Sequence, residues 1–153
     1  MAFSSRRNTV RSLRLQVVTS MGNGIQPTLL LVEDNPDDQR FFLWAAKKAN
    51  LPVVINLATD GEEAIDYLSR SPARLFLVLS DIHLPRRSGW DVLSWVRRRP
   101  PYLRLPFVIW TSLPDPEGER KAQEMGADSY LSKPNSVSDY RGVLSVIENY
   151  LRD

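Results

Sequence analysis

From residue 28 onward the chain alternates short apolar runs with longer amphipathic stretches. The apolar runs are Thr28–Val32, 53–57, 75–79, 107–110 and 129–131. Each is too short for an independent helix and is rich in strand-forming side chains. Runs of this kind suit strands covered on both faces, as in a parallel sheet.

The stretches between them carry helix signals. Asn35-Pro36-Asp37-Asp38 supplies a cap, a proline at the first helical position and acids in the first turn, which predicts a helix to about residue 50, where Leu51-Pro52 breaks it. Asp60-Gly61-Glu62-Glu63 resembles a capping box and opens a helix carrying Ala64, Ile65 and Leu68, closed by Ser71-Pro72. Ser88-Gly89 opens a third with Val92, Leu93 and Val96, ending in Arg97-Arg98-Arg99 before Pro100-Pro101. Three arginines there complement the carboxyl end of a helix and read as a solvated terminus. Asp115-Pro116 starts a fourth, ending at Met125-Gly126; its few apolar residues predict weak anchoring. The last has the clearest period, with Tyr140, Leu144, Ile147 and Leu151 on one face. Strand and helix alternate five times, which predicts an α/β fold: a doubly wound, five-stranded parallel sheet with right-handed crossovers and helices on both faces.

Composition narrows the chemistry. At 153 residues the chain is one domain in size. It has no cysteine, so no disulfide framework or thiol chemistry is available, and its single histidine, His83, argues against zinc catalysis. No apolar run approaches the roughly 18 residues of a membrane span, so a cytoplasmic protein without membrane contact is expected. The net charge of +2 misleads, because Arg6, Arg7, Arg11 and Arg14 precede the first acidic residue, Glu33. Taking those four from the 20 basic residues leaves 16 against 18 acidic ones, a net charge near −2. The body is therefore not a nucleic-acid binder. Residues 1–26 are expected to be a flexible basic tail or an over-long start, with Met21 as the alternative beginning, and residues 27–153 the folded domain.

Four of the five expected strands end in a functional group: Glu33-Asp34, Asp81, Thr111 and Lys133. In a parallel sheet these ends share one edge, where open α/β folds place their chemistry. Asp81 alone reads more readily as a loop cap. Three converging carboxylates repel one another, however, and a hard divalent cation such as Mg²⁺ relieves that repulsion. Three carboxylates, Mg²⁺ and Lys133 sum to zero charge, a setting able to receive a phosphoryl anion. Phosphoryl transfer needs chiefly positioning and neutralisation, and Asp81 can then serve as nucleophile.

The residues Val32-Glu33-Asp34-Asn35, Asp81-Ile82-His83-Leu84-Pro85 with Gly89, Thr111-Ser112, and Gly126 through Pro134 together resemble a response-regulator receiver domain over roughly residues 28 to 152. The segments Glu33 to Asp38 and Thr59 to Ala64 are most similar to stand-alone receivers that partner phytochrome-type histidine kinases. The resemblance implies a flavodoxin-like sheet of order 2-1-3-4-5. It implies Mg²⁺ on Asp34, Asp81 and the main-chain carbonyl of His83, with Glu33 acting through metal-bound water. Asp81 would be the phosphoacceptor and Lys133 the phosphoryl partner, with a cis Lys133-Pro134 bond. Thr111 and Tyr130 would form the switch, and the side chains of His83 and Leu113 would tune dephosphorylation.

It further implies a phosphoacceptor switch rather than an enzyme acting on other substrates. The donor would be a sensor histidine kinase or a histidine phosphotransfer domain, and the output a downstream protein, since the chain stops after its fifth helix; a homodimer is also allowed. A phosphorelay intermediate is the first alternative. An aspartate-nucleophile phosphatase is the second, disfavoured because such enzymes place an aspartate where His83 stands. A receiver-shaped module that is never phosphorylated is the third, and the full acidic, hydroxyl and lysine set argues against it.

Overall fold

The structure is a computed structural model that describes residues 15–18 and 26–152. Its elements in chain order are β1 (Leu15–Val18), β2 (Thr28–Val32), α1 (Pro36–Lys48), β3 (Val54–Ala58), α2 (Gly61–Ser69), β4 (Leu75–Ser80), α3 (Gly89–Arg97), β5 (Phe107–Thr111), α4 (Pro116–Met125), β6 (Ser129–Ser132) and α5 (Arg141–Arg152), with two short 3₁₀ turns. The sheet runs β1-β3-β2-β4-β5-β6, and every pair is parallel except β1 with β3.

The expected doubly wound sheet is present as β3-β2-β4-β5-β6. The strand count is corrected from five to six: Leu15–Val18 adds an antiparallel edge strand to β3, from Leu15 opposite Leu57 to Val18 opposite Val54. This strand lies within the expected tail. Its backbone pairing satisfies donors and acceptors that an edge strand otherwise presents to solvent. The rest of residues 1–25 lies outside the described residues.

Period-two alternation sorts the strand side chains between two cores. On one face Leu29, Leu31, Leu77, Leu79, Val108 and Trp110 meet Phe42 and Ala46 of α1 and Leu144 and Ile147 of α5. On the other, Leu30, Val32, Val78, Phe107 and Ile109 meet Ala64 and Leu68 of α2, Val92, Leu93 and Val96 of α3, and Ala122 of α4. Only Ala122 of α4 is fully buried, in line with the weak anchoring expected.

The helix starts are capped as their sequences require. Asn35 Oδ1 accepts from the N–H groups of Asp37 and Asp38, and Pro36 occupies the first turn. Asp60 Oδ1 accepts from Glu63 N–H at 2.7 Å, while Glu63 turns its carboxylate to Thr59 N–H and leaves the capping box half formed. Ser88 and Asp91 complete a full box at α3.

Arg97 is not a solvated terminus: it donates to the carbonyls of Gly126 and Tyr102 and to Asp128 Oδ2, all within 3.0 Å. Gly126 takes a φ of 90°, the left-handed cap that ends α4, so Arg97 clamps the end of α4 to α3.

Candidate functional site

The carboxyl ends of β2, β4, β5 and β6 gather the site. Glu33 follows β2 and is wholly buried; Asp34 beside it is exposed; Asp81 follows β4 and is buried. One carboxylate oxygen from each of the three lies within 4.8 Å of the others, so the structure brings the expected acidic triad together. His83 lies on the same loop and is exposed.

Loop geometry fixes Asp81. Its N–H donates to the Val32 carbonyl, and the Ser80 hydroxyl donates to its carbonyl at 2.8 Å. Gly89 comes so close that a Cβ there would lie 2.1 Å from the Asp81 carbonyl oxygen, and its N–H donates to Ile82 O. Glycine is required at that approach. Both carboxylate oxygens of Asp81 are then engaged: Oδ1 accepts from Ile82 N–H at 2.7 Å and Oδ2 from Lys133 Nζ at 2.9 Å.

Lys133 reaches the site from the end of β6, where its N–H donates to Thr111 O, and only 6 % of its side chain is exposed. Its ammonium lies 2.5 Å from Glu33 Oε1 and 2.9 Å from each of Asp38 Oδ2 and Asp81 Oδ2. Burial works against the lysine's charge, yet Glu33, Asp38 and Asp81 together hold its pKa above the ordinary value. Burial also pushes the Glu33 carboxyl up to about 7, against the pull of Lys133. Beneath the ammonium lies the Trp110 ring, its centroid 5.2 Å from Nζ.

The expected cis bond between Lys133 and Pro134 is corrected: among the described residues no peptide bond is cis. The trans isomer is the lower in energy, by about 0.5–1 kcal/mol for a bond to proline, and with it Lys133 already reaches all three carboxylates.

Thr111 is wholly buried, and its hydroxyl accepts from Leu113 N–H at 3.2 Å. Tyr130, half-buried on the neighbouring strand, seats its hydroxyl at the start of α4, 3.4 Å from Asp115 N. Gly118 makes room for it: a Cβ there would lie 2.4 Å from the Tyr130 oxygen. Trp110 alternates with Thr111 along β5 and therefore packs in the α1–α5 core. Leu113 is 72 % exposed.

One residue escaped the sequence reading as part of the site. Asp38 looked like a first-turn helix acid, and it is one; it also contacts Lys133. Lys133 faces Glu33, Asp38 and Asp81, and Asp34 makes a fourth carboxylate, so the anticipated neutrality gives way to one negative charge in excess even with a divalent ion bound. No local signal pointed to this, because Asp38 and Lys133 are 95 residues apart in the chain.

Against known proteins, the chain matches the profile of the response regulator receiver domain over residues 29–144. It belongs to that family. A curated relative, a probable methanogenesis regulatory protein of Methanothrix harundinacea, is 32% identical over 128 residues, covering 80% of this chain and 81% of the relative. The chain spans only about a quarter of another relative at the same identity, a probable cyclic di-GMP phosphodiesterase of Vibrio cholerae. Among solved structures, a phosphorylated cyanobacterial phytochrome response regulator, RcpA, superposes with a TM-score of 0.74 at 25% identity, covering 83% of this chain and 94% of that one. The Mn²⁺-bound response regulator Rcp1 gives 0.72 at 25% identity, covering 82% and 94%.

The receiver is thus a phosphoacceptor switch module of two-component signalling, of the family partnered by sensor histidine kinases. Receivers bind a divalent metal, and the donor set fits one: three clustered carboxylates, one of them wholly buried with its pKa raised, form a hard oxygen site with excess negative charge. Among the described residues no helix is long and apolar enough to cross a membrane.

Proposed function

We propose that Asp81 is the phosphoacceptor and that Lys133, Thr111 and Tyr130 complete the machinery. The observation that carries this reading is the double restraint on the Asp81 carboxylate, by Ile82 N–H on one oxygen and Lys133 on the other, beside two further acids at the strand ends. An ionised, oriented carboxylate is the nucleophile that the transfer needs.

An Asp81 oxygen attacks phosphorus; the P–N bond to the donor histidine breaks, its electron pair passes to the imidazole nitrogen, and that nitrogen takes a proton from water. Lys133 neutralises a phosphoryl oxygen, and the Thr111 hydroxyl donates to another. Glu33, Asp34, Asp81 and the His83 carbonyl would hold Mg²⁺, which when bound supplies neutralisation of phosphoryl charge. The side chains of His83, exposed beside Asp81, and of Leu113 tune phosphate loss.

The phosphodonor is a sensor histidine kinase of the phytochrome type, a reading supported by the likeness to RcpA, and a histidine phosphotransfer domain would present the same phosphohistidine chemistry. The output is contact with a downstream protein or a second copy of the chain, in the cytoplasm. In this switch Thr111 turns toward the phosphoryl group and Tyr130 leaves its seat beside Gly118.

The test is intact mass after incubation with acetyl phosphate and Mg²⁺. Wild type gains a phosphate adduct and Asp81→Asn gains none; an adduct of equal yield in both overturns the assignment. Gly118→Ala probes the switch, because the added Cβ expels the Tyr130 hydroxyl from its seat. The expected result is a longer-lived phosphorylated form, and a wild-type lifetime would remove that seat from the mechanism.

A further inference from the structure

Lys133 must give its positive charge to an incoming phosphoryl oxygen, yet three carboxylate oxygens already surround it. An ammonium has three donors, so one carboxylate has to yield. Glu33 is a poor candidate: it is wholly buried, and its second oxygen accepts from Asn35 N–H at 3.0 Å. Asp81 keeps its carboxylate charge until the P–O bond forms, so it still holds the ammonium while the phosphoryl group arrives. Asp38 differs from both. Its side chain is 29 % exposed, and it stands in the first turn of α1 at the rim of the site. Its carboxylate can swing into water at little solvation cost.

We infer that Asp38 is a positioning residue: a releasable tether that parks Lys133 beside Asp81 in the resting protein and surrenders it to the phosphoryl group. This rests on Asp81 being the phosphoacceptor. The charge balance points the same way. A phosphoryl group adds negative charge beside Asp81, and the Asp38 carboxylate, left without its ammonium, then opposes that charge and shortens the phosphorylated state. Asp38 is outside the set of acids whose oxygens cluster for a cation, so its role is separable from metal binding.

The experiment compares wild type, Asp38→Asn and Asp38→Glu in the full chain, following phosphorylation by acetyl phosphate and subsequent phosphate loss by intact mass, with Mg²⁺ affinity measured by calorimetry. Asp38→Asn is expected to be phosphorylated faster and to lose phosphate more slowly, each by about twofold to fivefold, the range open to a partly exposed ion pair. Asp38→Glu, which keeps the charge, is expected to return toward wild type, and Mg²⁺ affinity is expected to change by less than about twofold in either variant. Unchanged or slower phosphorylation of Asp38→Asn overturns the tether, as does a roughly tenfold loss of Mg²⁺ affinity, which would make Asp38 part of the metal site. Asp81→Asn runs in parallel: if it too is phosphorylated, the phosphoacceptor assignment has failed, whereas a blank there with identical Asp38 variants sinks the tether alone.

Discussion

Lys133→Met is expected to lower the stability of the metal-free protein by about 3 kcal/mol near pH 8 and by much less near pH 5. The lysine is the cation nearest Glu33, Asp38 and Asp81, and methionine keeps its bulk while removing the charge. The wholly buried Glu33 is then left ionised without a partner, the costly case. Its escape is to take up a proton. Burial already raises its pKa from 4.5 to about 7 with Lys133 present, and loss of the lysine drives it higher. For an acid whose folded pKa is raised, the folded state binds more protons than the unfolded one between the two values, so stability falls as pH rises through that window. Urea unfolding of both proteins at the two pH values checks this, and equal stability loss at each would refute it. The same variant should accept phosphate at least about a hundredfold more slowly, as expected for removal of one preorganised charge donor.

Trp110→Ala is expected to cost about 3–5 kcal/mol, on the order of 15 °C in melting temperature. Trp110 is wholly buried and meets Phe42 and Tyr140 edge to face, at centroid distances of 5.5 and 5.9 Å. These rings join β5 to α1 and to the turn before α5. Alanine would leave a cavity where three elements converge, directly beneath Lys133. Trp110→Phe keeps part of the ring contact and should lose markedly less. Calorimetric melting of the three proteins decides the matter; an alanine variant within about 3 °C of wild type would show that the core collapses around the gap.

Much of the fold was legible along the chain because its cues are local. Strand β2 declares itself in five consecutive buried residues, and α1, α2, α3 and α4 begin at the capping side chains of Asn35, Asp60, Ser88 and Asp115. Glu33, Asp34, Asp81, Thr111 and Lys133 were also legible, since each ends or follows a strand. What escaped has long-range causes. Arg97 reads as a helix-end charge until Gly126 and Asp128, about thirty residues on, come within its reach. Leu15–Val18 lies in a brief apolar stretch, Leu13–Val18, that is too short to announce a strand by itself, and the edge of β3 offers it the hydrogen bonds that make it one.

By itself, then, the sequence determined the alternation of elements, the faces they bury and the types of chemical group at the strand ends, because periodicity and capping act within a few residues. Only the tertiary structure decided which of those groups share a charge. Asp38 and Lys133 are 95 residues apart, and their contact depends on β2 and β6 ending on the same side of one sheet with α1 folded back over it. Electrostatic interaction falls with distance in space, not along the chain. For that reason Asp38 is an ordinary helix-start acid in the sequence and a partner of Lys133 in the folded protein.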